Sequence, residues 1–191
     1  MSRLIAFGCS YTAGTSLHDK KNSWPFVLGK LLSKDTINNA VPGSGNLEIL
    51  WNILNYKFET NDVCFVMWSH FSRDIIFHPT SNQRIHEWDN KLTRNWLLTH
   101  SDYDANIRNW LYIQHGDLFL KSKGITVYHL IGGDYQTERF SNPSCINLTN
   151  IIDLEFKNID FGIDNSHPGQ LSHRFMAEQI YNSVNGLISH K

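Results

Sequence analysis

No stretch of this 191-residue chain approaches the ~20 consecutive apolar residues that a membrane-spanning helix needs, so no membrane span is expected. Charge of neither sign is in excess. Lys and Arg total 17 against 18 for Asp and Glu, a formal net charge of −1, and that balance gives no reason to expect a nucleic-acid partner. Cysteine is scarce: Cys9, Cys64 and Cys145 stand far apart and form no CxxC pair. This argues against a disulfide framework or a zinc ribbon and for a reducing compartment. Repeats, low-complexity tracts and charge runs are missing too. With 41% hydrophobic and only 18% charged residues, the composition is that of a folded chain rather than a disordered one. The opening Met1–Gly8 has too short an apolar core for a signal peptide and reads as a first strand. The expected location is therefore cytoplasmic, or another reached without a signal peptide, a virion included. What the chain has in quantity is aromatic residues, at 13%, and 10 histidines.

The length fits one domain over residues 1–191. Short apolar runs alternate with segments of helical period. Arg3–Gly8 is a short buried-type strand, and Trp24, Val27, Leu28, Leu31 and Leu32 then follow an amphipathic helical spacing, with Pro25 in its first turn. A weaker strand covers Thr36–Ala40 and ends in the breakers Pro42-Gly43-Ser44-Gly45. Leu47, Leu50, Trp51, Leu54 and Phe58 share a helical face. Val63–Trp68 is apolar throughout, the pattern of a strand buried on both sides, and Ile125–Ile131 is similar. Ile107, Trp110, Leu111 and Leu118 mark a long helix, and Phe175, Ile180, Val184 and Leu187 a closing one. Between the two apolar strands Val63–Trp68 and Ile125–Ile131, residues 79–104 are polar and aromatic without a clear period and read as an insertion or a lid. Strands alternating with helices predict an α/β sandwich with a mostly parallel sheet. Ligands in such folds sit at the carboxyl ends of the strands, which directs attention to the residues just after 8, 40, 68 and 131.

The first of these places holds Gly8-Cys9-Ser10-Tyr11-Thr12-Ala13-Gly14. A serine at a strand tip followed by a turn presents its hydroxyl away from the ladder, and Gly8 permits the sharp backbone change. The plainer reading is that Ser10 caps the turn or the next helix. A serine hydroxyl becomes a useful nucleophile only when a base takes its proton. The best candidate base is His167, in Asp164-Asn165-Ser166-His167-Pro168-Gly169. Pro168 restricts His167 to an extended conformation and suits a first helical position. Asp164, three residues earlier, is within reach of the His Nδ1 proton and would leave Nε2 free as base. An Asx turn leading into a helix is the plainer account of the same segment. Gly43 offers a backbone N–H with no side chain in the way, as an oxyanion hole requires. Gly43-Ser44-Gly45 lacks the third glycine of a dinucleotide loop, and no GxxxxGK[ST] occurs. After the third strand comes Trp68-Ser69-His70-Phe71-Ser72-Arg73, where a polar side chain can complete the hole.

Together these segments resemble the SGNH (GDSL-type) hydrolases, serine esterases and acylhydrolases with a flavodoxin-like three-layer α/β sandwich. Phe7–Gly14 matches the first block, with Cys9 where the family usually has Asp. Ser23-Trp24-Pro25-Phe26 resembles the segment that often follows it. Gly43 matches the second block, and Asp164 and His167, with the proline after them, match the fifth. The likeness runs through the chain in order, with little from residues 75–124. The third block departs: where the family has an oxyanion Asn, alignment of the strand ends puts His70, beside Ser69. A neutral imidazole donates one hydrogen bond, so His70 can fill the role, and Asn46 is a second candidate. The resemblance implies that Ser10 attacks an ester carbonyl, His167 takes its proton and Asp164 orients the imidazole. The N–H groups of Ser10 and Gly43, with His70, hold the oxyanion. It implies a small-molecule or carbohydrate acyl ester as substrate and no metal or organic cofactor.

Three rivals stand beside that reading. The first is a hydrolase-like fold kept as a carbohydrate-binding or assembly module, permitted by the missing Asn and by Trp88, Trp96, Tyr103 and Tyr112. The second makes Cys9 the nucleophile, although residues 9 and 10 point in opposite directions along an extended strand end. The third is a metal site from the evenly spaced His70, His78 and His86, which match no helical ligand pattern.

Overall fold

The computed structural model describes residues 2–77, 83–85, 101–132 and 143–189. Its centre is a five-stranded sheet in the order β2-β1-β3-β6-β7, with every neighbouring pair parallel. The strands are β1 (Arg3–Phe7), β2 (Asp35–Asn38), β3 (Val63–Met67), β6 (Thr126–Gly132) and β7 (Ile151–Leu154). The helices are α1 (Ser10–Ala13), α2 (Trp24–Leu31), α3 (Asn46–Asn55), α4 (Asp102–Ser122) and α5 (Gln170–Ser189). The α/β sandwich with a parallel sheet that the alternation of elements predicts, flavodoxin-like as the family resemblance implies, is thus the observed architecture.

Side-chain alternation explains why the inner strands are mostly apolar on both faces. In β1, Leu4 and Ala6 join Phe65, Met67, Leu130 and the α2 and α5 residues Trp24, Leu28, Met176 and Ile180 on one face. Ile5 and Phe7 join Cys64, Val66, Ile49, Ile53, Trp110 and Ile113 on the other, under α3 and α4. Each buried Ile or Phe of β1 contributes about 1.5–3 kcal/mol by leaving water. The edge strand β7 buries only alternate residues, Ile152 and Leu154. That half-buried pattern is too short to stand out in the sequence, and the periodicity reading missed it.

One further difference concerns the middle of the chain. Asp74–Ile76 (β4) and Gln83–Ile85 (β5) form an antiparallel hairpin outside the main sheet. Most of the segment read as an insertion or lid, 79–104, lies outside the described residues, as do His78, His86, Trp88 and Trp96. Within it, β5 is tied to the body by Arg84, which donates from Nε and Nη2 to the Glu48 carboxylate at 2.8 Å each and from Nη1 to the Pro42 carbonyl at 3.1 Å. Among the described residues no helix is long and apolar enough to cross a membrane, and no group of His, Cys, Asp and Glu is disposed to hold a metal ion.

Candidate active site

The parallel sheet places the ends of β1, β2 and β3 side by side, and β1 lies between the other two. The chain after β1 passes to α2 on one face, whereas α3 covers the other, so a crevice opens at the end of β1. Ser10 stands there as the first residue of α1, a single helical turn. Cys9 is its extended N-cap, and Gly14 closes it in the left-handed region at φ +68° with its N–H donating to the Ser10 carbonyl. Gly8 is needed for a reason the sequence did not show. A Cβ there would lie 2.2 Å from Thr12 Oγ1 and 3.0 Å from the Met67 carbonyl, so space rather than an unusual φ demands glycine. The N–H of Ser10, opening a helix, has no acceptor inside it and remains available to a ligand.

The segment carrying Asp164 and His167 packs against this turn from the far end of the chain. The His167 ring meets the Tyr11 ring edge-on, centroids 5.8 Å apart, and Tyr11 also packs on Phe156. Asp164 does two jobs with its two oxygens. Oδ1 accepts the backbone N–H groups of Ser166 and His167 at 3.0 Å each, the Asx turn that the plainer reading foresaw. Oδ2 meets His167 Nδ1 at 2.6 Å. The backbone N–H groups of His167 and Ser166, and the side chains of Ser16 and His167, hold the Asp164 carboxyl far below the usual carboxylate range. It is therefore an anion at neutral pH. Among the described residues no hydrogen bond joins the Ser10 hydroxyl to the His167 ring, a contact that often tightens only when substrate binds. Pro168 does not open the helix as expected. It bridges to Phe161, α5 begins at Gln170, and the Asp160 carboxylate caps it by accepting the N–H groups of Leu171 and Ser172.

In the segment leading to His167, Asp160 caps α5, Gly162 lies against Ser16 and Asp164 holds the His167 ring, whereas Ile159, Phe161 and Ile163 are exposed.

Gly43 sits at the end of β2 in a turn with Pro42 before it, φ +81°, and Ser44 N–H donating to the Val41 carbonyl at 3.2 Å. This is the pattern of a type II turn, in which glycine is favoured at the third place. The turn's hydrogen bond uses Ser44, not Gly43. Asn46, the second candidate for the missing family Asn, is not free for that work. It is wholly buried, its Oδ1 accepts the Ser69 N–H at 2.6 Å, and its Nδ2 donates to the Ser69 carbonyl and to Asn109 Oδ1 at 3.1 and 2.7 Å. Asn109 in turn donates to the Phe71 and Ala105 carbonyls. This buried amide pair locks the end of β3 to the start of α3, and no spacing in the sequence announced it. Ser69 Oγ accepts from Arg73. His70, next along, is pushed down to about 4 by burial and by the charge of Arg73, so its imidazole is neutral at neutral pH. Cys9 is buried, a small side chain at the helix cap.

Behind the site a second polar line crosses the α4 face of the sheet. The Trp68 indole N–H donates to His129 Nδ1 at 3.1 Å, His129 Nε2 meets Asp117 Oδ1 at 3.1 Å, and Asp117 Oδ2 pairs with Lys121 at 2.7 Å. Only its i, i+4 Asp117–Lys121 member was legible in the sequence.

No family model matches the chain, and no curated protein matches it. Solved structures do, over nearly its whole length and at low identity. One is a lipolytic protein of the G-D-S-L family from Desulfitobacterium hafniense, 14% identical, covering 96% of this chain and 99% of its own, with a TM-score of 0.56. Another is the esterase EstA from Pseudoalteromonas, 10% identical, covering 99% of this chain and 100% of its own, at 0.61. A third is the acetyl xylan esterase Est2A from Butyrivibrio proteoclasticus, 12% identical, covering 98% of this chain and 64% of its own, at 0.63. Sheet order, helix placement and these structural likenesses agree: the chain has the fold of the SGNH, or GDSL-type, hydrolases.

Proposed function

We propose that this protein is a serine ester hydrolase in which Ser10 is the nucleophile, His167 the base and Asp164 the residue that orients it. The observation that carries the reading is the 2.6 Å contact between Asp164 Oδ2 and His167 Nδ1, made in a loop packed against Tyr11, the neighbour of Ser10. With its Nδ1 proton held by a carboxylate, His167 keeps Nε2 unprotonated and able to take the Ser10 proton as Oγ attacks the ester carbonyl. Charge on the carbonyl oxygen is received by the N–H groups of Ser10 and Gly43 and by a neutral His70. The imidazolium, stabilised by Asp164, then protonates the leaving alcohol, and water attacks the acyl-enzyme by the same route in reverse. The mechanism calls on no metal or organic cofactor. The substrate class is an acyl ester of a small molecule or a carbohydrate. Fold neighbours that are esterases and acetyl xylan esterases support that class.

The decisive experiment measures hydrolysis of p-nitrophenyl acetate and of acetylated sugars, with fluorophosphonate labelling of the same samples. Ser10→Ala and His167→Ala are expected to lower turnover by ~10⁴–10⁶. Labelling should map to Ser10 and vanish in Ser10→Ala. A second reading, a module that binds carbohydrate without turnover, draws on the sequence: alignment of the strand ends puts His70 where the family has Asn. Sugar binding with no Ser10-dependent hydrolysis would establish it instead.

A further inference from the structure

Ser16 lies six residues beyond Ser10 and belongs to none of the motifs. Its φ is +73°, in the left-handed region where a residue with a Cβ is strained. Such strain persists where the surroundings require that conformation. Here both oxygens of Ser16 are turned toward one loop. Its Oγ accepts the Asp164 N–H at 2.8 Å, and its carbonyl accepts the Ile163 N–H at 2.9 Å. Gly162 lies flat against it: a Cβ on Gly162 would stand 2.4 Å from Ser16 Oγ and 2.5 Å from its carbonyl oxygen. Gly162 N–H meanwhile donates to the His167 carbonyl at 2.9 Å, which closes the loop on itself. Of these links, the Oγ bond reaches the acidic residue directly.

We propose that Ser16 is a positioning residue that docks the Asp164–His167 loop on the turn bearing Ser10, so that base and nucleophile ride on one rigid unit. The inference rests on the hydrolase reading above for its consequence in rate, but not for the docking itself. Ser16 and Asp164 are 148 residues apart, and a loop that reaches the nucleophile from the far end of the chain needs a fixed contact near its acidic member. Misplacing a catalytic group by about 1 Å costs on the order of 10²-fold in rate.

Two variants separate positioning from stability. Ser16→Ala removes the hydroxyl and keeps the backbone strain. Ser16→Gly removes the hydroxyl and relieves the strain, so a purely structural role predicts unchanged or raised thermal stability with unchanged kinetics. Positioning predicts that both lower kcat by about 10- to 100-fold with little change in KM. It also predicts that the acidic limb of the rate profile moves to lower pH, because an imidazolium less well held by Asp164 loses its proton more readily. The one-dimensional proton spectrum supplies a readout independent of turnover. The wild-type protein should show a far-downfield resonance from His167 Nδ1–H, which shifts upfield or broadens away in Ser16→Gly. Wild-type kinetics, limb and resonance in both variants would overturn the proposal. A lost resonance in a protein without Ser10-dependent hydrolysis would keep the docking and sink the hydrolase reading.

Discussion

Replacing Asp164 by Asn tests the orientation of the base with almost no change of shape. The carboxylate makes three contacts, two backbone N–H groups on Oδ1 and the His167 ring on Oδ2. An amide has one acceptor oxygen and one donor nitrogen, so it can satisfy the two backbone groups or the ring proton but not both. Two backbone hydrogen bonds together outweigh one neutral bond to the ring. The oxygen therefore stays with the backbone, the loop keeps its turn, and the amide nitrogen faces His167 Nδ1. Nδ1 must then accept, the ring proton moves to Nε2, and the base is lost. The expected fall in kcat is ~10⁴-fold, about 5 kcal/mol of transition-state stabilisation. Asp164→Ala also releases the two backbone N–H groups, so it should lose thermal stability as well as activity. Initial rates on p-nitrophenyl acetate and melting temperatures, measured on both variants, decide the matter. Wild-type turnover in Asp164→Asn would refute the account, as would a loss of activity that merely follows a loss of fold.

The remaining expectations are simpler. His70→Ala should reduce turnover by ~10²–10³ if His70 supplies an oxyanion donor, and His70→Asn should restore most of it; equal rates in all three would remove His70 from the site. Activity should rise with pH on its acid side, because Asp164 stays ionised while the base must be neutral to take the Ser10 proton; a rate independent of pH would count against a histidine base. His173 is fully buried and pushed down to about 4 by desolvation, while the unfolded chain protonates it near 6.5. The unfolded state thus binds the extra proton first, and stability should fall as pH drops from about 6.5 toward 4, by up to roughly 3 kcal/mol from this residue. Urea unfolding at the two ends of that range, with His173→Gln as comparison, reads the slope. Asn46→Ala strands the Ser69 N–H and Asn109, a loss of about 3 kcal/mol or more visible in the same unfolding curves, whereas a melt within a degree of wild type would show the amide pair to be unimportant.

The sheet was legible because strands buried on both faces have no freedom to be polar: Leu4–Phe7 and Val63–Met67 carry their layer in their composition. The parallel order followed from the helices between them. Ser10 and the Asp164-to-His167 spacing were legible as well, since a glycine-ended strand tip and an acid three residues before a histidine are local patterns. Local pattern also made the Asx turn visible, and the structure shows it to be the same carboxylate that holds the ring. By contrast, nothing local announces that Ser16 meets Asp164, that Asn46 joins Ser69 and Asn109, or that Trp68, His129 and Asp117 form one line. These contacts join residues distant in sequence through single hydrogen bonds, which impose no periodicity and no composition on the chain. The amino-acid order by itself determined the layers and the chemical groups available at the strand ends. Only the packed chain decided which of those groups are already committed to each other and which remain open to a ligand, because a donor or acceptor is spent only when folding brings its partner to it.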